Sequence, residues 1–505
     1  MLTLAAGLAG AGGAHAAAPP WQVEELREGT AIVQFEGARA TVRDRLAALG
    51  LRVRAFETFP MAAVTGPRTG LRRAAQLEQV TAAHMSTRLE YFLDESVPLV
   101  YSGSHESAWQ AGFDGRGVQV AVVDSGVNGL HQDLLDRVTH NFKVLSAAIV
   151  ECPLPCDSDT TSGHGTHVAG IVAGDGGSSG GRFRGVAPGA DVIGYSTGEG
   201  INVLFAVQAL EHVYANPELG VDVVNNSWGS TGQFDSTNPV NVATRKLVEE
   251  RGVTVVFAAG NSGWGSRREE GHEGASDCSG EGTCTINPYS VAPWVLSIAN
   301  TSKDADGGPG DQTLNWTSSR GDPFPQVALS GEAIEYEPTL SGPGTNIWAA
   351  KDQTSALSAA CGASADPPEC TTEGPDVQAF YVAQTGTSMS APHVAGAIAV
   401  LQSKAQAVLG RTLTPAEVRE ILVTTAAPMT KPDVFYNWPC DEPFFVACGS
   451  RIDDGGPVMT GIPYQEWQVG AGALDLAAAL ARVDAAAAPA EPPKGKRPPK
   501  GPKPK

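Results

Sequence analysis

The stretch Gly117-Val118-Gln119-Val120-Ala121-Val122-Val123-Asp124-Ser125-Gly126 decides how the rest of the chain is read. A short β-branched run bounded by turn residues, apolar on both sides of its pleat, belongs in a parallel sheet covered on both faces. Its last acidic residue, Asp124, then sits at the carboxyl end of a buried strand, where sites gather in open α/β sheets. The same texture returns at residues 221–225, 253–258 and 294–299. Helical patterns occupy 165–173, 202–214 and 240–251. This alternation predicts an α/β fold, a mostly parallel sheet flanked by helices.

Upstream the texture differs. Residues 30–35 read as a strand, 43–49 as an amphipathic helix, 51–56 and 61–64 as two strands, 71–80 as a helix and 87–92 as a closing strand. That order is the split βαβ pattern of a small ferredoxin-like α+β domain. The first 18 residues, MLTLAAGLAGAGGAHAAA, form an apolar, small-residue run ending in a signal-peptidase-like site, although no Lys or Arg precedes the run. Residues 485–505 are mostly Pro, Lys and Ala, too poor in apolar surface to fold. Irregular insertions occupy 349–377 and 429–461.

Composition narrows the classes. The chain has 505 residues, 42% apolar and 18% charged, with 59 glycines, which suits a compact enzyme with many tight turns. A formal net charge of −20 argues against nucleic acid or anionic lipid as partners. No stretch after the leader approaches the ~18 unbroken apolar residues of a membrane span. The 8 cysteines fall as local pairs, Cys152/Cys156, Cys278/Cys284, Cys361/Cys370 and Cys440/Cys448. None has C-x-x-C spacing or paired histidines beside it, so disulfide-closed loops in an oxidising compartment are favoured over zinc. The Gly112–Gly117 run precedes a strand instead of following one, so it is no nucleotide loop.

Three motifs carry candidate chemistry. Val122-Val123-Asp124-Ser125-Gly126 ends a strand, Gly163-His164-Gly165-Thr166-His167-Val168-Ala169-Gly170 enters a helix, and Gly386-Thr387-Ser388-Met389-Ser390-Ala391-Pro392-His393-Val394-Ala395-Gly396 opens another. Singly, the aspartate reads as a turn residue, the serine as an N-cap and the histidines as packing. Together they supply what amide hydrolysis needs: a nucleophile, a base of near-neutral pKa and a group that orients the base.

These segments closely resemble the subtilisin-like serine peptidase family, whose Asp…His…Ser order is a known variant of the triad. The resemblance covers residues from about 30 to about 483. It implies Asp124, His164 and Ser388 as the triad, with His167 and His393 left to packing. Val256-Phe257-Ala258-Ala259-Gly260-Asn261-Ser262-Gly263 matches the segment that delivers an oxyanion-hole asparagine, here Asn261. Ser227-Trp228-Gly229 and Ala258-Ala259-Gly260 match the strands that pair with an extended peptide and line its primary pocket. The pocket floor falls near Ile286-Asn287-Pro288; Trp228 either narrows the pocket wall or is core.

The resemblance also implies a layout: a signal peptide at 1–18, an inhibitory and folding-assisting propeptide at 19–98, a catalytic domain at 99–484 and a tail at 485–505. Self-cleavage is expected between about 92 and 104. No cofactor is expected. Relatives often bind calcium, and Asp133 matches a position that can be a ligand, but the 175–184 loop offers few oxygen-bearing side chains for a cage, so a calcium site stays open without being predicted. The reading is a secreted, monomeric endopeptidase acting on proteins and held by its own propeptide. Two alternatives stay open: a narrow processing peptidase for one exported partner, and a non-catalytic binding scaffold.

Overall fold

The computed structural model describes residues 28–85, 90–91, 108–109, 111–198, 200–263, 275–279, 284–302, 312–345, 347–352, 379–432 and 459–487. The leader 1–18, the cleavage region 92–104, the cysteines at 361, 370, 440 and 448, most of both long insertions and nearly all of the tail lie outside these residues. Backbone proximity divides the chain into two units, 1–86 and 87–505.

The first unit is a four-stranded antiparallel sheet with two helices. Its elements run β1 (Glu28–Phe35), α1 (Arg39–Ala48), β2 (Arg52–Ala55), β3 (Met61–Pro67), α2 (Arg68–Ala74) and β4 (Val80–Met85). The strand order is β2-β3-β1-β4, as in a ferredoxin-like domain. Alternate residues Ala31, Val33 and Phe35 of β1 face Val42 and Leu46 of α1 and Leu71 and Ala74 of α2. Thr30 and Thr65, opposite each other across the β1–β3 ladder, share a hydroxyl hydrogen bond of 3.0 Å.

One part of this unit departs from the sequence reading. The second helix ends at Ala74 instead of continuing to Val80, and the closing strand is Val80–Met85, not 87–92. The β-branched pair Val80-Thr81 opens an extended run that pairs antiparallel with β1 and completes the sheet. Within 87–92 only Glu90–Tyr91 (β5) is described, and it belongs to the second unit, where it pairs with Trp228–Gly229.

The second unit holds a nine-stranded sheet. Along the chain come β6 (Gln119–Asp124), β7 (Val138–Val144), β8 (Ile149–Glu151), β9 (Asp191–Ser196) and β10 (Val221–Asn226). The short β11 (Trp228–Gly229) follows, outside the sheet, then β12 (Thr254–Ala258), β13 (Leu296–Ser302) and β14 (Thr313–Leu314). The order is β14-β13-β12-β10-β6-β9-β7-β8, with strand Leu340–Pro343 also pairing β13. The interior pairs are parallel, and β8 and β14 join antiparallel. β7 and β9, absent from the sequence reading, lie on one side of β6, and β10, β12 and β13 on the other. The chain crosses from β9 to β10 over β6, so Asp124 ends the strand at the switch point.

Helices α3 (His164–Ala173), α4 (Val203–Ala215), α5 (Pro239–Arg251), α6 (Thr387–Leu409), α7 (Pro415–Thr425) and α8 (Leu476–Ala487) flank this sheet. Local chemistry sets their limits. Asn202 caps α4 through Phe205 N–H, Asn238 and Pro239 open α5, and Thr414 with Glu417 forms a capping box on α7. α6 is buried on every side from Thr387 to Ala405, as a central helix must be. Val120 and Val122 share one core with Val168 and Val172 of α3 and Val394 and Ile398 of α6. Cys152–Cys156 and Cys278–Cys284 are disulfide-bonded. Among the described residues no helix is long and apolar enough to cross a membrane.

Candidate active site

Asp124, His164 and Ser388 are all fully buried in the second unit. The Nδ1 of His164 lies 2.6 Å from Asp124 Oδ1, which also accepts the Ser125 N–H at 2.8 Å. Two features seat α3 against the end of β6. Gly165 N–H donates to Ser125 Oγ at 2.9 Å, and a Cβ on Gly165 would fall 2.1 Å from Gly126 O and 2.9 Å from Asp124 Cβ. Only glycine lets the helix approach the strand end this closely. Asp159, five residues before His164, receives the N–H groups of Gly163 and Thr166, each at 3.0 Å, and the Thr166 hydroxyl at 2.8 Å. A carboxylate at a helix N-terminus suits the helix dipole. Burial nevertheless pushes its carboxyl up to about 6.

Ser388, in the first turn of α6, is tied to the segment after β10. Its hydroxyl donates to Ser227 O at 3.0 Å, and Ser227 Oγ donates to Ser388 O at 2.8 Å. Asn261 stands beside Thr387: its Oδ1 accepts the Thr387 N–H at 2.9 Å and the Thr387 hydroxyl at 3.0 Å. That fixes the amide orientation and leaves Asn261 Nδ2 buried without a partner. Thr387 Oγ1 also takes the Gly260 N–H at 3.1 Å. Thr387 was quoted in the serine motif, yet its orienting role needs the tertiary contact to be seen.

The two expected cleft segments are neighbours, joined by Asn287, whose Nδ2 reaches Trp228 O at 3.1 Å and Ala258 O at 2.8 Å. Gly229 has no room for a side chain, because a Cβ there would meet the Asn287 amide at 2.2 Å. Ala259 N–H donates to Ile298 O and Asn287 N–H to Ala259 O, so this wall is fixed by backbone bonds. Trp228 is core, not pocket wall: its ring is fully buried, Nε1 donates to Val123 O at 2.8 Å, and it packs edge-on to Phe257.

The other histidines have structural surroundings. His167 is buried with Nε2 3.0 Å from both Ile347 O and Val382 O, and burial, then His164, lowers its pKa to about 3. His393 Nδ1 lies 2.6 Å from Met389 O within its own helix. Asp133 accepts the Tyr381 hydroxyl at 2.5 Å and the Ser178 N–H at 2.9 Å, so each carboxylate oxygen already has a donor. No group of three His, Cys, Asp or Glu side chains that could hold a metal ion occurs among the described residues.

Comparison with known proteins gives a consistent picture. The chain is 28% identical to the serine protease AprX of Bacillus subtilis (strain 168) over 317 residues, which is 61% of this chain and 61% of that protein. It is 28% identical to fervidolysin of Fervidobacterium pennivorans over 343 residues, 64% of this chain and 39% of that protein. The match to subtilisin E of Bacillus subtilis (strain 168) is 27% over 322 residues, 62% of each. The chain thus spans under two thirds of the length of each of these relatives. The crystal structure of fervidolysin superposes with a TM-score of 0.59 at 19% identity, covering 90% of this chain and 61% of that one, a likeness of fold. The model of the subtilase family matches residues 115–444, and the chain belongs to that family.

Proposed function

We propose that this protein is a serine endopeptidase that hydrolyses peptide bonds in proteins. The observation that carries the reading is the buried 2.6 Å pair of Asp124 and His164, in a unit whose buried Ser388 follows Thr387, the residue that orients the amide of Asn261. In this mechanism His164 takes the Ser388 proton as Oγ attacks the substrate carbonyl carbon. Asp124 holds the imidazole in the tautomer with its free base nitrogen toward the serine and stabilises the cation. Asn261 Nδ2 and the Ser388 N–H stabilise the oxyanion. The proton passes to the leaving amine, and water then releases the acyl group by the same route in reverse.

The finer parts of the proposal are an exported zymogen with a leader at 1–18, a self-inhibiting propeptide at 19–98, a catalytic domain at 99–484 and a tail at 485–505. The active form works as a monomer on protein substrates, without a cofactor. Expression of the wild type beside Ser388→Ala tests the core of it. The wild type is expected to shed its leading segment and hydrolyse casein, and the variant to do neither. Equal behaviour of the two would overturn the role given to Ser388. A panel of peptides then separates a broad endopeptidase from a narrow processing one.

A further inference from the structure

We propose that Asn225 is a positioning residue for the nucleophile: through the Ser227 hydroxyl it fixes the first turn of α6, and with it Ser388 Oγ. The proposal rests on the peptidase reading above and adds to it a residue fully buried in the central sheet. The carbonyl of Ser388 would find its helical donor in the N–H of residue 392, four positions on. Residue 392 is proline, which has no N–H. Ser227 supplies the missing donor. Its Oγ donates to Ser388 O at 2.8 Å, while Ser227 O accepts the Ser388 hydroxyl at 3.0 Å.

A hydroxyl carries a single proton. With that proton on Ser388 O, a further group bonded to Ser227 Oγ must be a donor. Asn225 Nδ2 is that donor, 2.9 Å away. The chain from Asn225 through Ser227 to Ser388 therefore runs in one direction and holds the Ser227 hydroxyl at one rotor angle. Fold stability alone does not account for Asn225. It lies on β10 level with Val122 of β6 and Val256 of β12, both in the apolar core shared with α6. Its Oδ1 has no partner among the described residues, so folding buries an acceptor that water satisfied before. A leucine of nearly the same shape would avoid that loss. A polar side chain that works against stability in an apolar row is the pattern expected beside a functional site.

Loss of the Asn225 donor frees the Ser227 hydroxyl to turn away from Ser388 O. The carbonyl that Pro392 leaves without a helical donor then loses its fixed partner, and the first turn of α6 gains freedom at Ser388. A misplacement of about 1 Å at a reacting atom is enough to slow a reaction about a hundredfold. The peptide itself is held by the cleft walls, so the effect belongs in kcat.

The test uses the full-length chain as wild type, Asn225→Leu, Asn225→Val, Ser227→Ala and the double variant Asn225→Leu with Ser227→Ala. Three quantities are read: kcat and KM on a peptide, the rate at which phenylmethanesulfonyl fluoride labels Ser388, and the urea midpoint in a Ser388→Ala background. Asn225→Leu is expected to lower kcat and the labelling rate together by about ten- to a hundredfold, with KM little changed and the urea midpoint unchanged or higher. Asn225→Val should lose kcat to the same extent, so that if one variant fails to fold the other decides. In the double variant the Asn225 change should add almost nothing to Ser227→Ala, because both act through one hydroxyl. Full kcat and labelling in a folded Asn225 variant, or effects that simply multiply in the double variant, would overturn the inference and leave the peptidase reading standing. A kcat loss that only tracks a lower urea midpoint would make Asn225 a structural residue and overturn it too. A folded wild type that neither cleaves peptides nor takes the label at Ser388 would sink the peptidase reading and this inference with it.

Discussion

Asn261 is held at one end of its amide only. Thr387 supplies both donors to Oδ1, while Nδ2 stays buried and unpaired. A buried donor in that state costs roughly 1–3 kcal/mol, which an oxyanion placed opposite it would relieve. Asn261→Ala is therefore expected to lower kcat by about 10²–10³ with KM little changed, a range borrowed from the corresponding donor in a family member. Thr387→Val keeps the shape and removes the hydroxyl, and should lower kcat by about tenfold through a loosened amide. Steady-state kinetics on a peptide substrate check both; a rise in KM at constant kcat would make Asn261 a substrate-holding residue instead. Gly165 gives the third expectation at this scale. Gly165→Ala would force a Cβ into Gly126 O and Asp124 Cβ, so activity should fall although alanine favours helices. Unchanged kcat/KM in a folded Gly165→Ala would show that the close approach is not needed for catalysis.

At the scale of elements, α3 is the one whose placement matters most, and Asp159 sits at its start. Its carboxyl is raised from 3.8 to about 6 because burial outweighs the Gly163 and Thr166 donors. Asp157 is raised to about 6 as well, by burial first and Asp352 next. An acid whose pKa is higher in the folded than in the unfolded chain binds its proton more tightly when folded. Its contribution to stability is then greatest below about pH 4 and falls as pH rises to about 6, opposite to a salt-bridged carboxylate. Asp159→Asn should remove that share, so the loss of unfolding free energy between about pH 4 and pH 7 shrinks by roughly 1–3 kcal/mol. Denaturant titrations in a Ser388→Ala background, where self-digestion is removed, measure it. An identical pH profile in the variant would mean that Asp159 does not titrate in this range. The limits of α3, α4 and α5 were readable from the sequence to within a few residues, Asn202 and Asn238 being local caps, whereas α7 behind Thr414 was absent from that reading. The Val80–Met85 strand was not readable either, since its partner β1 lies about fifty residues earlier and nothing local announces it.

For the whole molecule, the Cys278–Cys284 bridge closes a loop between the Asn261 segment and Asn287. Converting both cysteines to Ala should cost about 2 kcal/mol on the chain-entropy account for so short a loop, measured by the same titrations. No change would show that the loop is fixed by its other contacts, such as the Ser276 hydroxyl with Thr285. The alternation around residues 117–126 determined the α/β class by itself, because strands covered on both faces must be apolar throughout. The four motifs likewise nominated Asp124, His164, Asn261 and Ser388, since catalytic segments are short and their flanking glycines are visible in one dimension. Tertiary structure alone decided the rest. It placed β7 and β9 beside β6, turned Trp228 into the core, gave Thr387 its hold on Asn261, and set β5 against β11. The physical reason is common to all four: each depends on contacts between residues distant in sequence, and periodicity and local propensity carry no record of which distant partner a residue meets.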